Sequence, residues 1–277
     1  MTTGKIKDLS RLCIHTITTK PWDIKTAVER YAAAGVPALS VWREALAGRD
    51  VAKTGAWIRS QGLEIVSLVR GGFFPSVSRE KRESAIEENR KAIREAALLG
   101  APMLVIVPGA DPAQPLEESR SQIREALEVL LPEAERAQVK LAIEPLHPMY
   151  ADTRSAVNTL AQANELAEYF GSPWTGVAVD VYHLWWDPAL EQEIARCGRN
   201  GNLFAFHICD WLSPTNDMLN DRGLMGEGCI PLRRIRRRVE EAGFTGYHEV
   251  EIFSNRFWAG DQEVFLRKIK KAYLEHA

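Results

Sequence analysis

Two rhythms alternate along this chain. Short runs of consecutive apolar, often β-branched residues are separated by longer stretches whose apolar positions recur three and four apart. The short runs are 11–17 (RLCIHTI), 37–42 (PALSVW), 63–69 (LEIVSLV), 103–107 (MLVIV), 139–144 (VKLAIE), 175–180 (TGVAVD), 202–208 (NLFAFHI) and 247–252 (YHEVEI), which predict eight strands. The longer stretches, such as 85–99 and 119–137, predict amphipathic helices, and one over 261–275 follows the eighth strand. Glycines, among them Gly35, Gly62, Gly100 and Gly243, fall between helix and next strand, where a left-handed residue ends a helix. Thr153 and Asp187 are read as N-caps of the helices that follow them, the second with Pro188 at the first helical position.

Strands that are apolar on both faces belong in a parallel sheet covered by helices. Eight such units over roughly 250 residues match a closed (β/α)8 TIM barrel, so residues 1–277 are read as one α/β domain. The rival, an open doubly wound sheet, would carry a Gly-rich phosphate loop after its first strand. Residues 14–23 (IHTITTKPWD) hold no such loop. The longest irregular stretch, 209–230, follows the seventh strand, on the side where barrels carry functional loops.

Composition narrows the class. Lys+Arg is 35 and Asp+Glu 37, a formal net charge of −2, with 45% hydrophobic and 26% charged residues. These values exclude a disordered chain, a collagen and a coiled coil. They also lack the basic excess that binding to nucleic-acid phosphates requires. No run reaches 18 apolar residues, and the first ten (MTTGKIKDLS) show no apolar leader core, so a cytoplasmic location is expected. Cys13, Cys197, Cys209 and Cys229 form no CxxC pair and are expected as free thiols. The basic run 233–238 is read as a solvated helix face.

Barrel chemistry collects at the C-terminal ends of the strands. The titratable residues there are His15, Arg43, Arg70, Glu144, Asp180, His207 and Glu251; the fourth strand ends in Pro108–Gly109. Glu144, Asp180, His207 and Glu251 end four consecutive strands. Three carboxylates converging on one face repel one another and are costly to bury, a conflict that a divalent cation removes. Three carboxylate oxygens and one imidazole suit Mn²⁺ first, with Mg²⁺, Co²⁺ or Zn²⁺ behind it. Glu249 shares strand parity with Glu251, so either it lies one layer deeper or the register slips.

The segments IEPL, VDVYH, FHICD and VEIF, in this order on these strands, resemble the xylose isomerase-like TIM barrels, the sugar phosphate isomerase/epimerase group. The resemblance runs over essentially the whole chain. It implies one divalent ion on Glu144, Asp180, His207 and Glu251, a substrate contact from His183, a small carbohydrate substrate and a homodimer or homotetramer. The trinuclear zinc centre of the related repair endonucleases is not expected, because LVRGG, VIVPG and MGEG lack the extra histidines. The second glutamate and the arginine that follow the ligands in ketohexose 3-epimerases are here Tyr150 and Ser213.

A dication between two glutamates suits proton transfer beside a carbonyl through a metal-stabilised enediolate. Glu144 and Glu251 are therefore the candidate catalytic residues of an isomerase or epimerase. His183, Arg70, Arg43, His15, Trp211 and Asp210 are the candidate substrate contacts, the arginines for a carboxylate or phosphate. Two alternatives stay open: a dehydratase acting on an inosose or a dehydroshikimate-like substrate, and a sugar-binding barrel without turnover. His147 is read as shaping its loop, and His248 as facing the helices.

Overall fold

All eight apolar runs form parallel strands of one closed barrel. The computed structural model describes residues 6–277; the first five residues of the segment read as lacking a leader lie outside them. In chain order the elements are β1 (Leu12–His15), α1 (Ile24–Ala33), β2 (Ala38–Trp42), α2 (Val51–Ser60), β3 (Glu64–Gly72), α3 (Arg79–Leu99), β4 (Met103–Val107), α4 (Leu116–Ala137), β5 (Lys140–Ile143), α5 (Leu160–Phe170), β6 (Thr175–Asp180), α6 (Val181–Leu184), α7 (Leu190–Arg199), β7 (Leu203–Ile208), β8 (Asp210–Trp211), β9 (Arg222–Gly223), α8 (Leu232–Glu241), β10 (His248–Val250), α9 (Asn255–Trp258) and α10 (Gln262–His276). Strands β1 to β7 pair in sequence, and β10 closes the barrel between β7 and β1.

Strand parity divides the core in two. Leu104, Ile106, Leu141, Ile143, Val177, Val179 and Phe206 pack outward in the large cluster shared with the helices. Val105, Ala142, Ala178 and Ala205 belong to a separate inner cluster with Trp42, Val69 and Phe253. Glu144, Asp180 and His207 stand two residues beyond those three alanines, so period-two alternation turns them into the barrel as well. The small alanine side chains form the layer beneath the polar one.

Local chemistry sets the helix starts. Asp23, Ser78 and Asp261 cap α1, α3 and α10, and Thr159 with Gln162 makes a capping box on α5. The N-cap expected at Thr153 is thus corrected to Thr159. The intervening residues are tied to the strand ends: Ser155 bridges Gly109, and Asn158 Nδ2 donates to Leu146 O (3.0 Å) and Ser155 O (2.9 Å). Likewise α7 starts at Leu190, and Asp187 accepts from Ala189 N (2.9 Å) in the turn before it. The end of β3 needs Gly72: its φ is +106°, and a Cβ there would lie 1.8 Å from Val107 O. Asn89 of α3 clamps the same residue, accepting from Gly72 N (2.6 Å) and donating to Gly72 O (2.8 Å).

The stretch 209–230 folds back over the C-terminal mouth, held by the antiparallel β8–β9 pair. Met218 O accepts hydrogen bonds from Tyr150 Oη and from Tyr182 Oη (3.0 Å), and Leu219 packs against both the inner cluster and the Val107–Leu146–Tyr150 cluster. In α8, Arg233, Arg234, Arg237 and Arg238 are exposed as expected, whereas Arg236 is buried. All four cysteines are free, and no described helix is long and apolar enough to cross a membrane.

Candidate active site

Strand register brings the polar side chains to one level. Asp180 of β6 is paired directly with His207 of β7, and Glu249 of β10 also pairs with His207. Glu144 directly follows β5 and stays in the sheet, its N–H donating to Ile106 O (2.9 Å), and Glu251 N donates to Ile208 O (3.2 Å). Glu144, Asp180, His207 and Glu251 each offer one ligand atom within 4.8 Å of the others, and all four are buried.

Two further shells hold this group. Below it, His15 donates from Nε2 to Glu249 Oε2 (3.0 Å), while its Nδ1 lies 3.1 Å from Glu251 Oε1. Ser40 donates to the same Glu249 oxygen (2.6 Å), so Glu249 is one layer deeper and committed to β1 and β2. Beside the group stands Arg222, fully buried, which the strand-end reading missed. Its Nη1 meets Glu251 Oε2 (2.8 Å) and Asp180 Oδ2 (3.2 Å), and its face lies on the rings of Tyr182 and Phe253. Its Nη2 lies 3.3 Å from His183 Nε2. A guanidinium only donates, so that nitrogen accepts and the His183 proton sits on Nδ1, a buried donor with no partner.

The group recruits positive charge. Burial pushes the Asp180 carboxyl up to about 7, with the Glu251 and Glu144 charges adding to it and Arg222 opposing. Burial disfavours a charged His207, yet Glu249 and the hydrogen-bonded Glu144 (2.8 Å) outweigh it and push its pKa up to about 10. His15 also rises, its bonds to Glu249 and Glu251 overcoming burial. Glu251 moves the other way: burial is outweighed by Arg222 and His15, which hold it well below the usual carboxylate range. His183 is kept neutral by burial and by Arg222.

A dication fits these residues on two observations. Three carboxylates meet a single guanidinium, and in the metal-free protein the site holds protons on Asp180 and His207 against their ordinary tendency, which marks where a cation would sit. In addition, His207 Nδ1 lies 2.8 Å from Glu144 Oε1, which puts one imidazole nitrogen in a set of oxygen donors, a combination that suits Mn²⁺, Zn²⁺ or Co²⁺.

The remaining expected site residues divide. Arg70 lines an open cleft of about 610 Å³ with Thr16, Leu219, and Trp42 and Phe253, which contact His15 and Arg222. Arg43 is turned outward: it starts a one-turn 3-10 helix after β2, and its guanidinium meets Glu95 (2.7 Å) and Glu88 (2.7 Å) of α3. Asp210 is a loop clasp, accepting from the N–H groups of Trp211, Gly226 and Ile230 at 2.9 Å. Trp211 packs among Tyr182, His147 and Trp185 and is not on the cleft wall. His248 faces α10, 3.0 Å from Tyr273 Oη.

Known proteins agree with this architecture. Residues 27–270 match the family model described as xylose isomerase-like TIM barrel. The chain belongs to that family. Among such barrels, protein SMc04130 from Sinorhizobium meliloti 1021 superposes with a TM-score of 0.93 at 44% identity, over 96% of this chain and 98% of that one. The IOLI protein, whose crystal structure carries a zinc atom, superposes with a TM-score of 0.83 at 22% identity, over 96% and 97% of the two chains. In sequence, L-ribulose-5-phosphate 3-epimerase UlaE of Salmonella paratyphi A is 27% identical over 217 residues, 72% of each chain.

Proposed function

We propose that this chain is a divalent-metal-dependent isomerase or epimerase of a keto-sugar. The observation that carries the reading is the convergence of Glu144, Asp180, His207 and Glu251 within 4.8 Å, next to a cleft of about 610 Å³ whose wall residues Trp42 and Phe253 contact His15 and Arg222. A cleft of this volume suits a small molecule. A relative that acts as a sugar-phosphate 3-epimerase supports the same class.

In this reading the four residues hold one dication, Mn²⁺ by preference. When bound, it supplies Lewis acidity that stabilises the negative charge developing on the substrate's carbonyl oxygen. Glu251, which Arg222 and His15 keep ionised, takes the proton from the carbon beside the carbonyl. In isomerisation it returns that proton to the neighbouring carbon; in epimerisation Glu144, at the end of β5, delivers a solvent-derived proton to the opposite face of the same carbon, and the proton on Glu251 leaves to solvent. Arg222 holds Glu251 ionised and turned inward, and His15 fixes the other oxygen of that carboxylate. The Nδ1–H of His183 donates to a substrate oxygen, which gives that buried donor its partner. A cytoplasmic location accords with the four free cysteines.

The test is hydrogen exchange in deuterated water, followed by NMR, with Mn²⁺-loaded protein and a panel of ketopentoses, ketohexoses and their phosphates. We expect deuterium at one carbon next to the carbonyl, lost on metal removal and in Glu144→Gln and Glu251→Gln proteins that remain folded by circular dichroism. Exchange that survives metal removal, or a product lighter by one water, contradicts the reading.

A further inference from the structure

The cleft next to the cluster has a polarity of its own. Its lining includes Lys20, Arg49, Arg70 and Arg154 but only two carboxylates, Asp23 and Glu44. This is an excess of two positive charges in a chain whose formal net charge is −2. Asp23 and Arg49 neutralise each other (3.2 Å), and Asp23 also caps α1. Lys20 rests over the Trp258 ring (4.7 Å).

Arg70 and Arg154 remain. Neither has a carboxylate within 4.0 Å or a side-chain hydrogen bond among the described residues, and Arg70 Nε is buried without an acceptor. Both guanidinium groups lie against one ring: Arg70 is 4.4 Å and Arg154 5.9 Å from the centroid of Phe73. Trp42 bounds Arg70 on its other side, and Tyr150 bounds Arg154. Burial lowers the pKa of Arg70, and the neighbouring Arg154 charge lowers it further, against the more distant pull of Glu44 and Glu144. Two half-buried like charges with no carboxylate in contact are unfavourable on their own, and a guanidinium is shaped to grip carboxylate or phosphate oxygens in pairs.

We infer that Arg70 and Arg154 form an anion subsite at the cleft wall, so that the substrate carries a phosphate or carboxylate group. They come from β3 and from the loop after β5, the two strands flanking β4, and Glu144, at the end of β5, is near enough for its charge to act on Arg70. An anion seated there sets which end of the substrate faces Glu144. The identity of the ligand as a sugar rests on the function proposed above; the anion site does not.

Binding and turnover separate the two. The first arm uses the full-length protein stripped of metal on a chelating resin, titrated with inorganic phosphate and, in parallel, with acetate, with thermal stability as the readout. The subsite predicts protection of the wild type by at least one of the two, and its loss in Arg70→Met and in Arg154→Met. Phosphate alone points to a phosphorylated sugar, acetate alone to a sugar acid, and both to a general anion grip. Protection by neither, or protection unchanged in both variants, overturns the subsite whatever the chemistry of the cluster. The second arm applies when exchange is found with Mn²⁺-loaded protein: each substitution should raise KM for the charged sugar about tenfold or more with a smaller change in kcat. Equal kcat/KM for a neutral ketose and its phosphate and acid counterparts also overturns it. If no sugar exchanges but the first arm succeeds, the isomerase reading fails and the anion site stands.

Discussion

Replacing Arg222 by methionine tests the electrostatic balance of the centre. The guanidinium is fully buried and bridges Asp180 and Glu251 at 3.2 and 2.8 Å. Removing one partner of a buried ion pair costs about 3–5 kcal/mol, because the remaining charges lose their counter-ion. At about 2–4 °C per kcal/mol for a chain of this size, Arg222→Met protein should melt roughly 6–20 °C below wild type when metal-free. Saturating Mn²⁺ should narrow that gap. The variant presents all three carboxylates to the ion without a competing cation, and a unit charge at contact distance is worth up to about 4 kcal/mol at an effective dielectric of 20. Discounting this heavily, ion binding should tighten by at least about tenfold, or about 1.4 kcal/mol, and the gap should shrink by about 3–6 °C. Differential scanning calorimetry of both proteins, metal-free and with Mn²⁺, measures it. A gap that stays the same on adding Mn²⁺, or a metal-free variant as stable as wild type, refutes the argument.

Two further outcomes follow from the same charges. Asp180 is raised to about 7 from 3.8, so the folded metal-free protein binds a proton that the unfolded chain has lost, and stability falls as pH rises from about 4 to 7. His207 is raised from 6.5 to about 10, so the stability it contributes is complete below 6.5 and is lost as pH rises toward 10. Above pH 6.5, where the buried neutral His183 and His248 no longer oppose the trend, melting temperatures of metal-free protein should therefore decline with pH up to 9, and Mn²⁺, which competes with those protons, should stabilise more strongly at the alkaline end; a Mn²⁺ effect independent of pH contradicts this. Arg43→Met should lower stability by about 1 kcal/mol, the worth of partly exposed pairs with Glu88 and Glu95, without altering KM, which steady-state kinetics and urea unfolding check together.

How much the sequence disclosed varies with the regularity of the backbone. Strands carry their own ruler: alternation of inward and outward positions aligns Glu144, Asp180, His207 and Glu251 from the sequence alone, and it allows Glu249 a layer below them, where the structure has it. Residues off the strands lack that ruler. Arg43 is a single residue past β2, and the one-turn helix that begins there swings it toward α3. Arg154 was hidden by the early N-cap assigned to Thr153, which placed it inside a helix; with the cap at Thr159 it belongs to the loop at the mouth. Arg222 lies in a stretch with no periodicity, and its partners are distant in sequence. One signal was available: it is the only basic residue between Cys209 and Ile230, in a loop that returns to a cluster of acids.

The central claim is that the ends of β5, β6, β7 and β10 grip a single divalent ion. Crystals soaked in manganese and measured on the low- and high-energy sides of its absorption edge test this most directly. The account predicts one anomalous peak per chain, bonded to Glu144, Asp180, His207 and Glu251. A barrel with no peak among those four side chains, or with manganese bound elsewhere on the protein, would contradict it.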